Sequence, residues 1–187
     1  MKLGFFTTES LFTVVWLLAR AVVWIKNRRI DLRREAALLL MYVNLAVIIR
    51  FVFFPWDMAD GRIQPLVIDM ARLSQPKVNL IPFVNIHKFD IKWILQNVGG
   101  NVALFIPSGI VLPILYKRLD SFWKVTLAGF LISLSIELIQ LMMPDRVTDV
   151  DDLILNTLGV MIGYGIYALF TKLTRHAKGR GKRTNDR

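Results

Sequence analysis

Five long hydrophobic stretches dominate the pattern of apolar and polar positions along this chain of 187 residues. They occupy residues 3–25, 36–56, 94–116, 124–143 and 150–173. Each is long enough to cross a hydrocarbon core of about 30 Å, because a helix rises about 1.5 Å per residue. The pattern predicts an all-α integral membrane protein with about five transmembrane helices. The first stretch could be a signal peptide, but its apolar core is followed by Arg20 rather than by a small-residue cleavage site, so we interpret the stretch as a retained helix.

Lys and Arg are distributed unevenly over the connections between these stretches. The turns after the first and third stretches, with the tail after the fifth, carry fifteen of them against four acids. The opposite side carries seven against nine acids. Because cytoplasmic loops are rich in Lys and Arg, we expect the N-terminus outside the membrane and the C-terminus in the cytoplasm. The net charge of +10 is then an orientation signal, and the basic tail is expected on anionic lipid rather than on nucleic acid.

These features divide the chain into three parts. Residues 1–35 are predicted to form the first helix and a basic cytoplasmic turn, residues 36–173 the main membrane domain, and residues 174–187 a basic cytoplasmic tail. An extracytoplasmic loop is expected over residues 57–93, with a short helix in its apolar stretch 65–73. The chain has no cysteine, which excludes disulfides, thiolate metal sites and a cysteine nucleophile. With two histidines, His87 and His176, no multi-histidine metal site is expected.

Polar residues interrupt the predicted outer halves of the helices. They are Arg50, Asn97, Asn101, Glu137, Gln140, Asp149, Asp152 and Asn156, with Arg146 just outside. Spacings of three, four and seven residues place the members on each helix on one face, so three helices present polar stripes at one depth. Ionisable groups at that depth cost several kcal/mol unless paired or hydrated, and they usually mark a site. We expect a polar pocket open to the outer face, with Arg50 as the counter-charge to Glu137.

Purely structural roles compete with this interpretation. Asp149, Asp151 and Asp152 suit the N-terminus of a helix, where acids are favoured. Asparagines on membrane helices often serve as interhelical hydrogen bonds, and Arg50 with Glu137 could be a structural pair. Taken singly, each residue is explained as well by structure as by function. The convergence of the whole set favours a functional site.

Three sequence elements resemble the VanZ-like family of membrane proteins. The first is Asn79-Leu80-Ile81-Pro82-Phe83. The second is a helix pattern formed by Asn101, Phe105, Pro107, Gly109 and Pro113. The third comprises Glu137, Gln140, Arg146, Asp149, Asp152, Asn156, Gly159 and Gly163, of which the two glycines permit close helix contact. The resemblance covers about residues 36–172. Arg50 has no place in the family pattern.

The resemblance implies a multi-pass protein of the bacterial plasma membrane, associated with low-level resistance to teicoplanin-type glycopeptide antibiotics. It does not supply a reaction. Our first hypothesis is a site for a lipid headgroup or a lipid-linked cell-wall intermediate, and its partners would be membrane lipids. In this hypothesis Asn97, Asn101, Gln140 and Asn156 hydrogen-bond the ligand, Arg146 and Arg50 hold a phosphate, and Glu137 orients them.

The alternative hypothesis is an intramembrane enzyme acting on a lipid phosphate or ester. Asp149 and Asp152, with Glu137, could bind Mg²⁺ or Mn²⁺ through oxygen ligands. Glu137 could instead act as a general base, and Asp152 is the other catalytic candidate. The sequence requires no cofactor and lacks Cys and His nucleophile machinery. A transporter is a third class, weakened by the lack of an internal repeat and by the single buried acid.

Overall fold

The computed structural model of the chain describes residues 1–28, 30–55, 58–59, 61–84 and 90–185. The helices are α1 (Phe5–Asn27), α2 (Leu32–Ile48), α3 (Ile91–Ile94), α4 (Gly100–Leu115), α5 (Phe122–Gln140) and α6 (Val150–Asn185). The strands are β1 (Lys2–Leu3), β2 (Met58–Ala59), β3 (Arg62–Ile63), β4 (Leu66–Val67), β5 (Val78–Asn79) and β6 (Thr148–Asp149).

Five helical segments of the described chain are long and apolar enough to cross a membrane. They are Phe5–Asn27, Leu32–Phe53, Leu95–Leu115, Phe122–Gln140 and Val150–His176. Two of them contain a widened π-helical turn, Ile49–Phe53 at the end of α2 and Leu95–Gly99 before α4. The prediction of a helical protein with five membrane-spanning helices is confirmed at this level, whereas the orientation of the termini stays a prediction.

Helices α4 and α6 form the centre of the bundle. Their backbones touch, because an ideal Cβ at Gly159 would lie 2.3 Å from the carbonyl oxygen of Val102, and one at Gly163 would lie 2.1 Å from that of Ile106. The close helix contact that the spacing of these two glycines permits is therefore formed. In membranes such contacts replace the hydrophobic driving force, since lipid tails are as apolar as the helix surfaces.

Helix α1 lies at the edge of this bundle, and Arg20 is its buried residue. The Arg20 guanidinium forms an ion pair with Glu35 near the start of α2. Two turns nearer the start of α1, Phe12 stacks on Tyr42 with ring centres 5.4 Å apart. Asp31 caps the N-terminus of α2, and its carboxylate accepts hydrogen bonds from two backbone N–H groups of the first turn. The ion pair attaches α1 to α2 near the turn between them, and the stacked rings attach the two helices nearer their middles.

The loop between the second and third spans is more extended than expected. The helix predicted over residues 65–73 is wrong in its first half, where β4 pairs antiparallel with β1. A 3-10 helix follows at Met70–Ser74. This segment is extended because the N-terminal strand supplies its backbone partners. The Met1 amino group donates to the Ile68 carbonyl (2.7 Å), and the Ile68 N–H donates to the Met1 carbonyl (2.8 Å). His87 lies outside the described residues.

Candidate functional site

A cavity of about 630 Å³ opens between α2 and α4 and reaches α5 and α6. One wall is apolar and is formed by Leu40, Val43, Val47, Pro107, Ile110 and Val111. The opposite end is polar and is formed by Gln96, Asn97, Asn101, Glu137, Gln140, Arg146, Asp152 and Asn156. The cavity therefore has an apolar part and a polar part, as an amphiphilic molecule does.

Seven of the nine predicted ligand-binding residues line this cavity, and two do not. The convergence follows from the helix packing, since α4, α5 and α6 each direct one polar stripe to a common point. Arg50 and Asp149 are the exceptions. Each is bound elsewhere in the protein.

Glu137 is the most deeply placed acid of the cavity, with 3% of its surface exposed. Its Oε2 accepts a hydrogen bond from the backbone N–H of Asp149 (2.9 Å), and its backbone carbonyl accepts one from the Thr148 hydroxyl (3.0 Å). Strand β6 is therefore attached to α5 by this residue. Glu137 has a structural contact through one oxygen and still lines the cavity.

Gln140 and Arg146 satisfy carbonyl groups at the end of α2. The side-chain amide of Gln140 donates to the Val52 carbonyl (3.0 Å), and Arg146 Nη2 donates to that of Phe54 (2.8 Å). The last carbonyls of a helix lack partners inside the helix, so these bonds stabilise the π-helical turn. Burial lowers the pKa of the Arg146 guanidinium, and the negative charge of Asp152 is the strongest influence that opposes this shift.

Two amide side chains connect the helices behind the polar end. The Asn101 amide on α4 donates to an oxygen of Asp152 on α6. The Asn156 amide, also on α6, donates to the Ser133 hydroxyl on α5 (3.0 Å). These bonds hold three helices in one register around the cavity, and they are the interhelical contacts expected of polar residues in a membrane.

The predicted pairing of Arg50 with Glu137 is wrong. Arg50 Nη1 donates to the Pro55 carbonyl (3.1 Å), and its guanidinium carbon lies 5.7 Å from the ring centre of Phe5 and 5.4 Å from that of Phe51. Within the described residues, the ion pairs are one between α1 and α2 and one between Lys124 and Asp120. Arg50 belongs to the π-helical turn, which directs its side chain towards the start of α1.

Asp149 binds the loop between the second and third spans instead of the cavity. Both of its carboxylate oxygens lie 3.1 Å from the side-chain amide of Asn79, and β5 pairs in parallel with β6 beside them. Asp151 accepts a hydrogen bond from the backbone N–H of Phe83 (2.9 Å). The segment from Asn79 to Phe83 is therefore held against the N-terminus of α6. Two of the sequence elements that carried the resemblance thus bind each other directly.

The metal set considered from the sequence is not assembled. Each of Glu137, Asp149 and Asp152 accepts a hydrogen bond from a different group, and Asp149 is turned to the loop. In the described ranges, no group of three or more His, Asp or Glu side chains is placed to hold one ion. The geometry therefore gives the Mg²⁺ or Mn²⁺ hypothesis no support.

Sequence reasoning missed Asn44 and Gln96, which also line the cavity. Asn44 is 6% exposed, its amide donates to the Leu104 carbonyl (2.8 Å), and its oxygen accepts from the Ser108 hydroxyl (2.5 Å). The signal was present in the sequence. Asn44 is an amide in the middle of the second hydrophobic stretch, and Ser108 is a hydroxyl in the middle of the third.

Fold and site together define a multi-pass membrane protein whose helices enclose a cavity that is polar at one end. The sequence model of the VanZ/LLP1 family matches residues 38–171, and the chain belongs to that family. Among curated proteins it is similar to Protein VanZ of Enterococcus faecium, with 29% identity over 111 residues. That match covers 59% of this chain and 65% of the relative, which is less than two thirds of its length. No solved structure matches the chain.

Proposed function

We propose that this cavity binds the headgroup of a membrane lipid or of a lipid-linked cell-wall intermediate in the outer leaflet of the bacterial plasma membrane. We further propose that the protein thereby contributes to low-level resistance to teicoplanin-type glycopeptide antibiotics. The observation that carries the proposal is the cavity itself, with an apolar wall on α2 and α4 and a polar end between α4, α5 and α6. An amphiphile matches both surfaces at once.

The headgroup supplies the selectivity in this proposal. A lipid chain that moves from the bilayer to the apolar wall exchanges one hydrocarbon surface for another, so it gains little free energy from the hydrophobic effect. Hydrogen bonds at the polar end distinguish one lipid from another, because a buried polar group left unpaired costs about 1–3 kcal/mol. Sequestering or redistributing a cell-wall intermediate would reduce access of the antibiotic to its target.

The resistance phenotype tests the functional part. The chain, produced in a teicoplanin-sensitive host, should raise the minimum inhibitory concentration of teicoplanin. Asn101→Ala and Glu137→Gln should abolish this increase, because both residues line the cavity. Thr126→Val is the matched control: it removes a buried hydroxyl on α5 that has no hydrogen-bond partner and does not line the cavity. Wild-type resistance from both cavity variants, at equal protein amounts in the membrane, would contradict the proposal.

The outer-leaflet location depends on the proposed orientation, which the uneven distribution of Lys and Arg supports. Single cysteines test it cleanly because the chain has none of its own. A membrane-impermeant maleimide applied to whole cells should label a cysteine at Lys77 and should not label one at Lys117, two exposed positions on opposite sides. The reverse labelling would place the cavity in the cytoplasmic leaflet.

A further inference from the structure

We infer that the polar end of the cavity receives hydrogen-bond donors of the headgroup, its hydroxyl or amino groups, and does not receive a phosphate. The inference rests on the proposed function and specifies the ligand of the same site. It replaces the expectation that Arg146 and Arg50 hold a phosphate there.

The side chain of Gln140 presents an acceptor that nothing in the protein uses. The residue is 4% exposed, and its Oε1 is buried without a hydrogen-bond partner. The orientation of the amide is determined by Val52, whose carbonyl accepts from Nε2 at 3.0 Å. A flipped amide would place two oxygens against each other, so the oxygen is the free end. A buried acceptor of this kind calls for a donor from a ligand or from water.

Asn156 presents a second acceptor from the neighbouring helix. It is 2% exposed, its amide donates to the hydroxyl of Ser133, and its Oδ1 is buried without a partner. Gln140 and Asn156 line the same cavity from α5 and α6. In both residues the amide nitrogen has a partner in the protein and the amide oxygen has none. The unpartnered buried atom of each amide is therefore an acceptor.

The charges at the polar end point the same way. Glu137 and Asp152 contribute two carboxyl groups to the lining, and Arg146 is the one guanidinium there among the described residues. Arg146 Nη2 donates to the Phe54 carbonyl, and Arg50 lies outside the cavity. A phosphate at this point would place its acceptor oxygens against the carboxyl oxygens of Glu137 and Asp152 and two amide oxygens, and acceptors do not hydrogen-bond each other. Hydroxyl and ammonium groups would find acceptors in these carboxyl groups and amide oxygens.

Two kinds of lipid carry such donors: a glycolipid through its sugar hydroxyls, and phosphatidylethanolamine through its ammonium group. Their shared chemistry is an O–H or N–H group that enters the polar end. In phosphatidylethanolamine the phosphate would remain nearer the cavity mouth. Phosphatidylcholine is the matched probe, because its headgroup differs from that of phosphatidylethanolamine only in having methyl groups in place of the N–H groups.

The experiment measures lipid retention on the purified full-length protein by native mass spectrometry. The detergent is dodecyldimethylamine oxide, which has no hydroxyl or amino donors; a maltoside would compete with its own hydroxyls. Four probes with identical acyl chains are added separately: phosphatidylethanolamine, phosphatidylcholine, a monoglucosyl diacylglycerol and phosphatidic acid. A lipid with donors should be retained about tenfold more strongly than phosphatidylcholine, as two additional hydrogen bonds predict.

The variant Asn156→Leu, of similar shape, should reduce the ratio of donor-lipid retention to phosphatidylcholine retention towards one. Thr126→Val should leave this ratio unchanged. Gln140→Met is the second variant, with thermal unfolding as its folding control because it leaves the Val52 carbonyl unpaired. Retention of either donor lipid supports the inference and identifies the source. Equal retention of phosphatidylethanolamine, phosphatidylcholine and the glucolipid would overturn the inference while leaving the proposed lipid site intact. Strongest retention of phosphatidic acid would also overturn it, in favour of a phosphate at the polar end. No retained lipid at all would contradict the proposed function itself.

Discussion

Replacing Gly163 by alanine should separate the two central helices of the bundle. A Cβ at this position would lie 2.1 Å from the carbonyl oxygen of Ile106 and 3.0 Å from the Cα of Gly109. Close carbon–oxygen contacts between helices begin at about 3.3 Å. The helices would have to move apart by about 1 Å, because the obstacle is backbone and cannot rotate away.

The expected loss follows from two opposing terms. Overpacking costs about 1–3 kcal/mol, and a rigid obstacle places Gly163→Ala near 3 kcal/mol. Alanine recovers at most about 1 kcal/mol through its higher helix propensity. We therefore expect the free energy of unfolding to fall by about 2 kcal/mol. The separation would also weaken the hydrogen bond from Asn101 to Asp152, since these residues lie on the same two helices.

Gly165 provides the control on the same helix. An added Cβ there would meet nothing within 4 Å, so Gly165→Ala should leave stability unchanged or raise it by up to about 1 kcal/mol. Both variants are compared by reversible unfolding in mixed micelles, followed by tryptophan fluorescence. If Gly163→Ala proves as stable as Gly165→Ala, α4 and α6 do not pack through their glycines and the argument is refuted.

Three further predictions concern the charged groups. Arg50→Gln and Glu137→Gln should change the unfolding free energy additively, because the two side chains bind different partners; a coupling above about 1 kcal/mol would contradict this. Asn79→Ala and Asp149→Ala should instead couple by about 1.5–3 kcal/mol in a double-mutant cycle, as expected for a hydrogen bond to a charged group, and additivity would show that the loop is not bound there. Asp152→Asn retains an acceptor for the neighbouring amide, so thermal unfolding should reveal a loss of about 1 kcal/mol or less.

The membrane helices follow from the sequence alone. In a hydrocarbon core every backbone N–H and C=O needs an internal partner, so a long apolar run has one favourable structure and its length can be read directly. Polar residues stand out against such runs, and their spacing indicates a common helix face. This is why the convergence of Asn101, Glu137 and Asn156 at one cavity could be anticipated. The glycine spacing of α6 likewise permits a close helix contact, since the physical basis of such a contact is local and steric.

The partner of each polar side chain was decided only by the tertiary structure. Arg50 turns away from Glu137 because a π-helical turn changes the direction of its side chain, and hydropathy carries no sign of such a turn. Asp149 binds Asn79 because the loop between the second and third spans folds back and pairs with β6, which joins residues 70 positions apart in the chain. Spacing along one helix determines which residues share a face. Which atoms then meet depends on how separate segments pack, and that packing is a property of the whole chain.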